Sequence, residues 1–302
     1  MKVALFYNEA AGDGVTLAEL RATLTSGGHQ LVRIVERHSD PERLLDADAE
    51  LVVAAGGDGT VSEAARLVAG HDVPLALLPI GTANNIALGL GIRGTLADIV
   101  ESWASATRRP LDLGRVRGAG VELRFLEAAG GGLIPAGIAA HEAQPGAEQA
   151  PVGQKLPEAI RAYRDALGAL KPRRCTVTLD GTSMTDDFLL VEALNTRAVG
   201  PHLELAEADP SDGRFSVVVA TEADRGEIDE YLRALDAGDS VRLPLASMLA
   251  RDVEVRGWER LHIDDRLISV PGGAPVSAHI EPAALHVLSP IPVEVKPETR
   301  VP

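Results

Sequence analysis

The sequence predicts an α/β protein: an N-terminal Rossmann-like, mostly parallel sheet domain, then a C-terminal antiparallel β-rich domain of β-sandwich type. Three observations predict it. Over the first third, short apolar runs alternate with helical patterns, which argues for parallel strands with helices on the sheet faces. After about Arg115, short strands separated by turn signals dominate. Asp180-Gly181, set between two such runs, is a strong hairpin signal. A chain of 302 residues suits two domains, placed at 1–115 and 116–302 with the boundary near 113–118.

In order, Val3 to Tyr7 reads as a strand and Thr16 to Leu24 as an amphipathic helix. Leu31 to Val35 is a strand, and a helix starts at Pro41–Leu45 with Asp40 as its cap. Leu51 to Ala55 is a buried strand, followed by a helix over about Val61–Ala69. Leu75 to Ile80 is another strand, with a helix from about Ala83. In the second domain the strands are Val121–Ala128, Thr176–Leu179, Phe188–Leu194, Phe215–Ala220 and Leu285–Leu288. Helical patterns cover Pro157–Leu170 and Arg225–Leu235. His141–Gly153 reads as a mobile loop and the Pro-rich end from Pro290 as a strap or tail.

Composition narrows the function. Hydrophobic residues at 45% supply a core, and aromatics at 3% mean that Ala, Val, Leu and Ile build it. A net charge of −15 excludes an overall basic footprint for nucleic acid. One cysteine, Cys175, excludes a disulfide framework and a Cys-rich zinc site, and fits a reducing cytoplasm. The apolar run in MKVALFYNEA is too short for a signal peptide. No stretch approaches the roughly 18 apolar residues of a membrane span. There is no Gly-x-Ser-x-Gly motif, the eight histidines lack metal-ligand spacing, and His262 reads as a strand residue.

The sharpest feature is Gly56-Gly57-Asp58-Gly59-Thr60, between a buried strand and a helix. Glycines let backbone N–H groups approach phosphate, and the helix N-terminus adds partial positive charge. Taken alone, the segment is also an ordinary turn in which Asp58 caps the helix. One βα unit later, Pro79-Ile80-Gly81-Thr82-Ala83-Asn84-Asn85 repeats the arrangement, with Thr82 or Asn84 as alternative caps. Asn8-Glu9-Ala10-Ala11-Gly12 ends the first strand. Three such turns at the carboxyl edge of one sheet make a phosphate pocket without a Walker lysine.

On these residues the chain resembles the diacylglycerol kinase catalytic-domain family, which includes bacterial soluble lipid kinases and sphingosine kinases. GGDGT is shared with NAD kinases and phosphofructokinases, whereas Pro-Ile-Gly-Thr-Ala-Asn-Asn is similar to the lipid-kinase branch. The likeness is strongest from Leu51 to Leu90 and runs over nearly the whole chain. It implies an ATP-dependent lipid kinase using Mg²⁺. It places Asn8, Gly12, Gly57, Asp58, Gly59, Thr60, Glu63, Gly81, Thr82 and Asn84 around the nucleotide. It assigns catalysis to Asp58 and Asp264, and a family acidic position at the domain junction to Asp112. It implies a structural Mg²⁺ held by the Asp212 side chain with the backbone carbonyls of Asp209 and Arg214. In isolation, Pro210-Ser211-Asp212-Gly213 is simply a turn.

Three positions depart from the family. Glu9 stands where proline is usual, and Asn85 where many members have aspartate. Ile263-Asp264-Asp265-Arg266 aligns with a late Asp-Gly-Glu motif whose glutamate is the general base in bacterial members. Arginine cannot accept a proton near neutrality. Lys155, Arg161, Arg164, Lys171, Arg173 and Arg174, against Glu158 and Asp165, form a local basic run that reads as a site for anionic headgroups or as a solvated helix face. The expected partner is a lipid substrate at a membrane surface, approached by a cytoplasmic, peripheral protein with no transmembrane segment; a homodimer is compatible with the sequence. The alternatives are a kinase of soluble hydroxyl compounds and a nucleotide binder that no longer catalyses.

Overall fold

Four apolar runs build the first sheet. Lys2–Tyr7 (β1), Gln30–Glu36 (β2), Leu51–Gly56 (β3) and Leu75–Pro79 (β4) lie parallel in the order β2-β1-β3-β4. Every residue of β3 is buried, as a parallel strand covered on both faces requires. The computed structural model describes residues 1–11, 14–144, 152–239, 241–243 and 245–289. Gly12, most of the loop expected over His141–Gly153, and the tail from Pro290 lie outside the described residues.

Leu17–Ser26 (α1), Asp58–Val68 (α2), Asn85–Gly89 (α3) and Leu96–Ser102 (α4) are the helices of this half. Thr16 caps α1 in a reciprocal box: its Oγ1 accepts the Glu19 N–H at 3.2 Å while Glu19 Oε2 accepts the Thr16 N–H at 2.7 Å. α4 has the same box, from Thr95 and Asp98, and was not expected. Asp98 occupies the position where Glu or Gln signals the motif, so the sequence signature is weak. Pro41–Leu45 is a 3₁₀ turn and Asp40 gives it no side-chain cap. α2 starts at Asp58, three residues ahead of the expected Val61.

The second half comprises Thr107–Gly118 (β5), Val121–Phe125 (β6), Ala128–Gly132 (β7), Arg173–Leu179 (β8), Thr182–Leu194 (β9), Ala198–Val199 (β10), Leu203–Glu204 (β11), Phe215–Thr221 (β12), Ser247–Ala250 (β13), Asp252–Arg256 (β14), Arg260–Ile263 (β15), Arg266–Ser269 (β16) and Val276–Ser289 (β17). Its helices are Leu133–Glu142 (α5), Val152–Ala169 (α6) and Arg225–Asp236 (α7). Pairings among these strands are antiparallel. The β8–β9 hairpin turns at Asp180 and Gly181, both with positive φ, as a primed turn requires. Val121–Ala128, expected as one strand, breaks at Leu126-Glu127. α5 was not expected either, because its Gly- and Pro-containing sequence is a poor helix signal.

β5 and β17 pair antiparallel along their length, and Val287 of β17 also pairs parallel with Leu75 of β4. Leu285, Val287 and Leu288 therefore lie in the first core with Leu51 and Leu77, although they close the chain's second half. A second core is made of strand residues that face each other, among them Val116, Val177, Val217, Val253 and Ile280, with Phe125 stacked on Phe215 at 5.5 Å. A third lies between the sheet and α6 and α7, where Leu190 and Val218 meet Tyr163, Leu167 and Leu232.

Candidate active site

The carboxyl ends of β3 and β4 bring the two glycine turns into contact. A Cβ on Gly81 would lie 2.3 Å from Gly57 Cα, and one on Gly57 would lie 3.2 Å from Gly81 Cα. At Gly81 only a residue without a side chain allows that approach, whereas a Cβ on Gly57 would merely be tight. Asn84 holds the second turn closed: its Oδ1 accepts the Gly81 N–H at 2.9 Å and its Nδ2 donates to the Gly81 carbonyl at 2.8 Å. It does so in the left-handed region, at φ 55. Asn8 lies one strand over, its N–H donating to the Ala55 carbonyl at 3.1 Å.

Asp58 is the first residue of α2, yet its carboxylate serves another helix. Oδ1 accepts the Ile86 N–H at 2.9 Å, at the start of α3. Neither Thr82 nor Asn84 provides a side-chain cap there. Burial pushes the Asp58 carboxyl above its ordinary range, against the Ile86 and Asn85 N–H groups, which favour the charged form. Thr60 turns its side chain inward against Gly56 and is buried, so only its backbone faces the turn. Glu63 Oε2 accepts from Arg37 Nε at 2.9 Å, and Arg37 also reaches Asp265 at 3.3 Å. Asp265 lies directly over Gly59. Arg37 thus ties the first half to the turn between β15 and β16.

Asp264 is buried at that turn, with φ 50. Its carboxylate accepts the Glu127 N–H at 2.8 Å and the Leu126 N–H at 3.2 Å, and pairs with Arg66 at 3.0 Å. Burial raises the Asp264 carboxyl and lowers the Arg66 guanidinium, each offset by the other's charge. Behind it His262 and Glu192, both fully buried, meet at 2.7 Å, and His262 Nδ1 faces the Asp264 carbonyl at 2.9 Å. They reach each other across Gly130 of the intervening β7.

Asp58, Asp264 and Asp265 from this set open onto a cleft of about 790 Å³. Asp58, Thr82, Asn85, Glu127, Asp264 and Asp265 form its polar side; Ile138, Leu156, Ala159, Val199 and Pro201 form an apolar side from α5, α6 and the β10–β11 turn. Lys155 stands at the cleft. Asn85 is buried and fully used: Nδ2 donates to Glu127 Oε1 and to the Gly200 carbonyl, both at 2.9 Å, and Oδ1 faces His202 Nδ1 at 2.8 Å. Burial lowers the His202 imidazole, so the neutral ring donates from Nδ1. Arg266 opens β16 with an exposed side chain and does not line the cleft.

Asp112, Asp209, Asp212 and Arg214 lie elsewhere. Asp112 is buried and accepts the Gly213 N–H at 2.7 Å and the Ala283 N–H at 2.8 Å, joining the loop before β12 to the irregular stretch of β17 opposite β5. Asp209 accepts from Arg109 at 2.8 Å and from the Ser211 hydroxyl at 2.7 Å; Asp212 accepts the Arg214 N–H at 2.9 Å. Burial raises the Asp212 carboxyl, as do the charges of Asp209 and Asp112. That excess of hard oxygen donors suits Mg²⁺. Among the described residues, however, no three acidic, His or Cys side chains surround one point, so a cation there would lean on carbonyls and water.

The arginines of the basic run are answered by acids: Arg164 pairs with Asp236 at 3.4 Å, Arg173 with Glu259 at 3.0 Å and Arg174 with Asp186 at 3.9 Å, while Lys155 lines the cleft. Sequence reading missed Glu127, Glu192, Arg37 and Arg66. Glu127 and Glu192 carried a signal: each interrupts a short apolar run, Phe125–Ala129 and Phe188–Leu194, and such residues are rarely buried without a purpose.

Residues 2–116 match the family model described as the diacylglycerol kinase catalytic domain, and 134–289 match the YegS C-terminal NAD kinase beta sandwich-like domain. The chain belongs to the diacylglycerol kinase catalytic-domain family. Both halves of the chain match kinase-family domain models. Among its relatives, a Mycobacterium tuberculosis protein named diacylglycerol kinase is 27% identical over 96% of this chain and 95% of its own length. A probable lipid kinase YegS-like from Xanthomonas oryzae pv. oryzae is 38% identical over 37% of this chain and 40% of its own. The crystal structure of a diacylglycerol kinase from Bacillus anthracis str. Sterne shares the fold, with a TM-score of 0.71 at 19% identity, covering 95% of this chain and 96% of that one. Among the described residues, no helix is long and apolar enough to cross a membrane.

Proposed function

We propose that this chain transfers the γ-phosphoryl group of ATP, bound with Mg²⁺, to the hydroxyl of a lipid. One observation carries the reading: the Gly57 and Gly81 turns touch at the head of a cleft whose far side is apolar. N–H groups at adjoining strand ends, with the N-terminus of α2, are the elements that hold a polyphosphate without a Walker lysine. The Ile138–Leu156–Val199 side suits a hydrocarbon chain better than a sugar or nucleoside. The names of the relatives point the same way.

Phosphoryl transfer asks the protein mainly for alignment and charge neutralisation. In this reading Asn8, Gly57, Gly59, Gly81 and Thr82 surround the phosphates, Asp58 orients the Mg²⁺-bound group, and Lys155 meets the anionic part of the acceptor. The protein would meet its lipid at a membrane surface from the aqueous side. Incubation of purified protein with labelled Mg-ATP and micelles of lipids bearing a free hydroxyl should yield labelled phospholipid. Nucleotide binding without transfer to any lipid would refute it and favour a non-catalytic binder.

A further inference from the structure

Five acidic side chains line the cleft, and four are already answered. Asp58 accepts an N–H at the start of α3. Asp264 accepts two N–H groups and pairs with Arg66. Asp265 pairs with Arg37, and Glu142 is exposed to water at the end of α5. Glu127 is different. It is buried at the break between β6 and β7, and among the described residues no cation contacts it and its only side-chain partner is the neutral amide of Asn85 on Oε1. Its other oxygen has no partner among the described residues.

We propose that Glu127 is the general base of the reaction, accepting the proton of the attacking hydroxyl on Oε2. This rests on the phosphotransfer reading above. In the step, the acceptor O–H bond breaks and its proton passes to Glu127. The acceptor oxygen bonds to the γ-phosphorus, and the bond from that phosphorus to the bridging oxygen breaks, releasing ADP with that oxygen.

Position and chemistry agree. Glu127 lies where the polar side of the cleft meets the apolar side from α6 and the β10–β11 turn. Tyr163 lines the same wall, with a buried hydroxyl that has no partner among the described residues and lies close to Gly200. That hydroxyl is free to bind an incoming oxygen. Asn85 fits the assignment because an amide donates to Glu127 where an aspartate would repel it. The late-motif position cannot supply a base, since Arg266 is exposed outside the cleft. The groups facing Glu127 are Asp58 from α2, Asp264 and Asp265 from the β15–β16 turn, and Tyr163 from α6, with Arg66 behind Asp264. Burial, then the charges of Asp58 and Asp264, push the Glu127 carboxyl well above the ordinary range. Asp58 and Asp264 are raised too, but Asp58 is held by N–H groups and Asp264 by N–H groups and Arg66, whereas a raised carboxyl with an open oxygen is suited to accept and return a proton.

The test compares wild type, Glu127→Gln and Glu127→Asp in Mg-ATP-dependent phosphorylation of micellar lipid across pH. Glutamine keeps an oxygen for Asn85 and removes the base. The expected loss in kcat is about 100-fold or more. The low-pH limb of the wild-type profile should vanish in Glu127→Gln, and Glu127→Asp should restore part of the rate. Three results overturn the proposal: Glu127→Gln within about threefold of wild type, a slow variant that keeps the wild-type pH profile, or no recovery with Glu127→Asp. If wild type phosphorylates no lipid, the lipid reading fails separately, and hydrolysis of Mg-ATP by water becomes the readout. A pH-dependent hydrolysis lost in Glu127→Gln upholds the base, and equal or absent hydrolysis in both proteins overturns it.

Discussion

Substituting Gly81 by alanine tests the contact on which the nucleotide reading stands. The new Cβ would meet Gly57 Cα at 2.3 Å. Carbon atoms rest at about 3.5 Å or more, so the two turns must part by about 1.2 Å. The two nearest contacts of the new Cβ, Gly57 Cα and N, are backbone atoms, so the backbone itself must give. Overpacking of this kind costs about 1–3 kcal/mol. If phosphate binding draws the turns back together, that strain appears as a loss of about 5- to 140-fold in Mg-ATP affinity. Gly57→Ala is the internal control. Its Cβ would lie 3.2 Å from Gly81 Cα, so the turns need part by only about 0.3 Å. The loss should then stay within about fivefold, below 1 kcal/mol. Isothermal titration with Mg-ATP, with circular dichroism to confirm the fold, measures both. Wild-type affinity in a folded Gly81→Ala protein would refute the idea that the two turns grip one anion.

Asp58→Asn preserves an acceptor for the Ile86 N–H and removes the charge, so lipid phosphorylation should fall by about 100-fold or more with the melting temperature held; turnover within a few-fold of wild type in the labelled-phosphate assay counts against its role. The Glu127 carboxyl, raised in the folded state, favours folding below the ordinary glutamate range, and that contribution is lost as pH rises through the folded value. Glu127→Gln should therefore gain melting temperature over wild type as pH increases, and a gap that shrinks with pH contradicts the assigned direction. Mg²⁺ added without nucleotide should raise the melting temperature of wild type and not that of Asp212→Asn; equal shifts would remove the metal from that loop.

Some of this molecule was legible from residue order alone, for a definite reason. Parallel strands buried on both faces leave uninterrupted apolar runs, and glycine-rich turns leave short, unmistakable words. Both signals are local, so Leu51–Gly56, the turn at Asp58 and the Asp180-Gly181 hairpin could be read directly. The resemblance carried by GGDGT and Pro-Ile-Gly-Thr-Ala-Asn-Asn named the family on similar grounds. Helix ends were harder: Asp58 looks like the cap of its own helix, and which amide its carboxylate meets depends on where α3 lies.

The sequence by itself determined the two sheet textures, the family and the segments that could face a phosphate. Tertiary structure alone decided the electrostatics of the cleft. Arg37 joins Glu63 to Asp265 across more than half the chain, Arg66 reaches Asp264, and the five acids come from α2, the β6–β7 break, α5 and the β15–β16 turn. Coulomb and desolvation energies depend on distance and burial, not on separation along the chain. No local pattern could therefore show that Arg66 compensates Asp264 while Glu127, whose backbone N–H binds that same carboxylate, has no cation among the described residues.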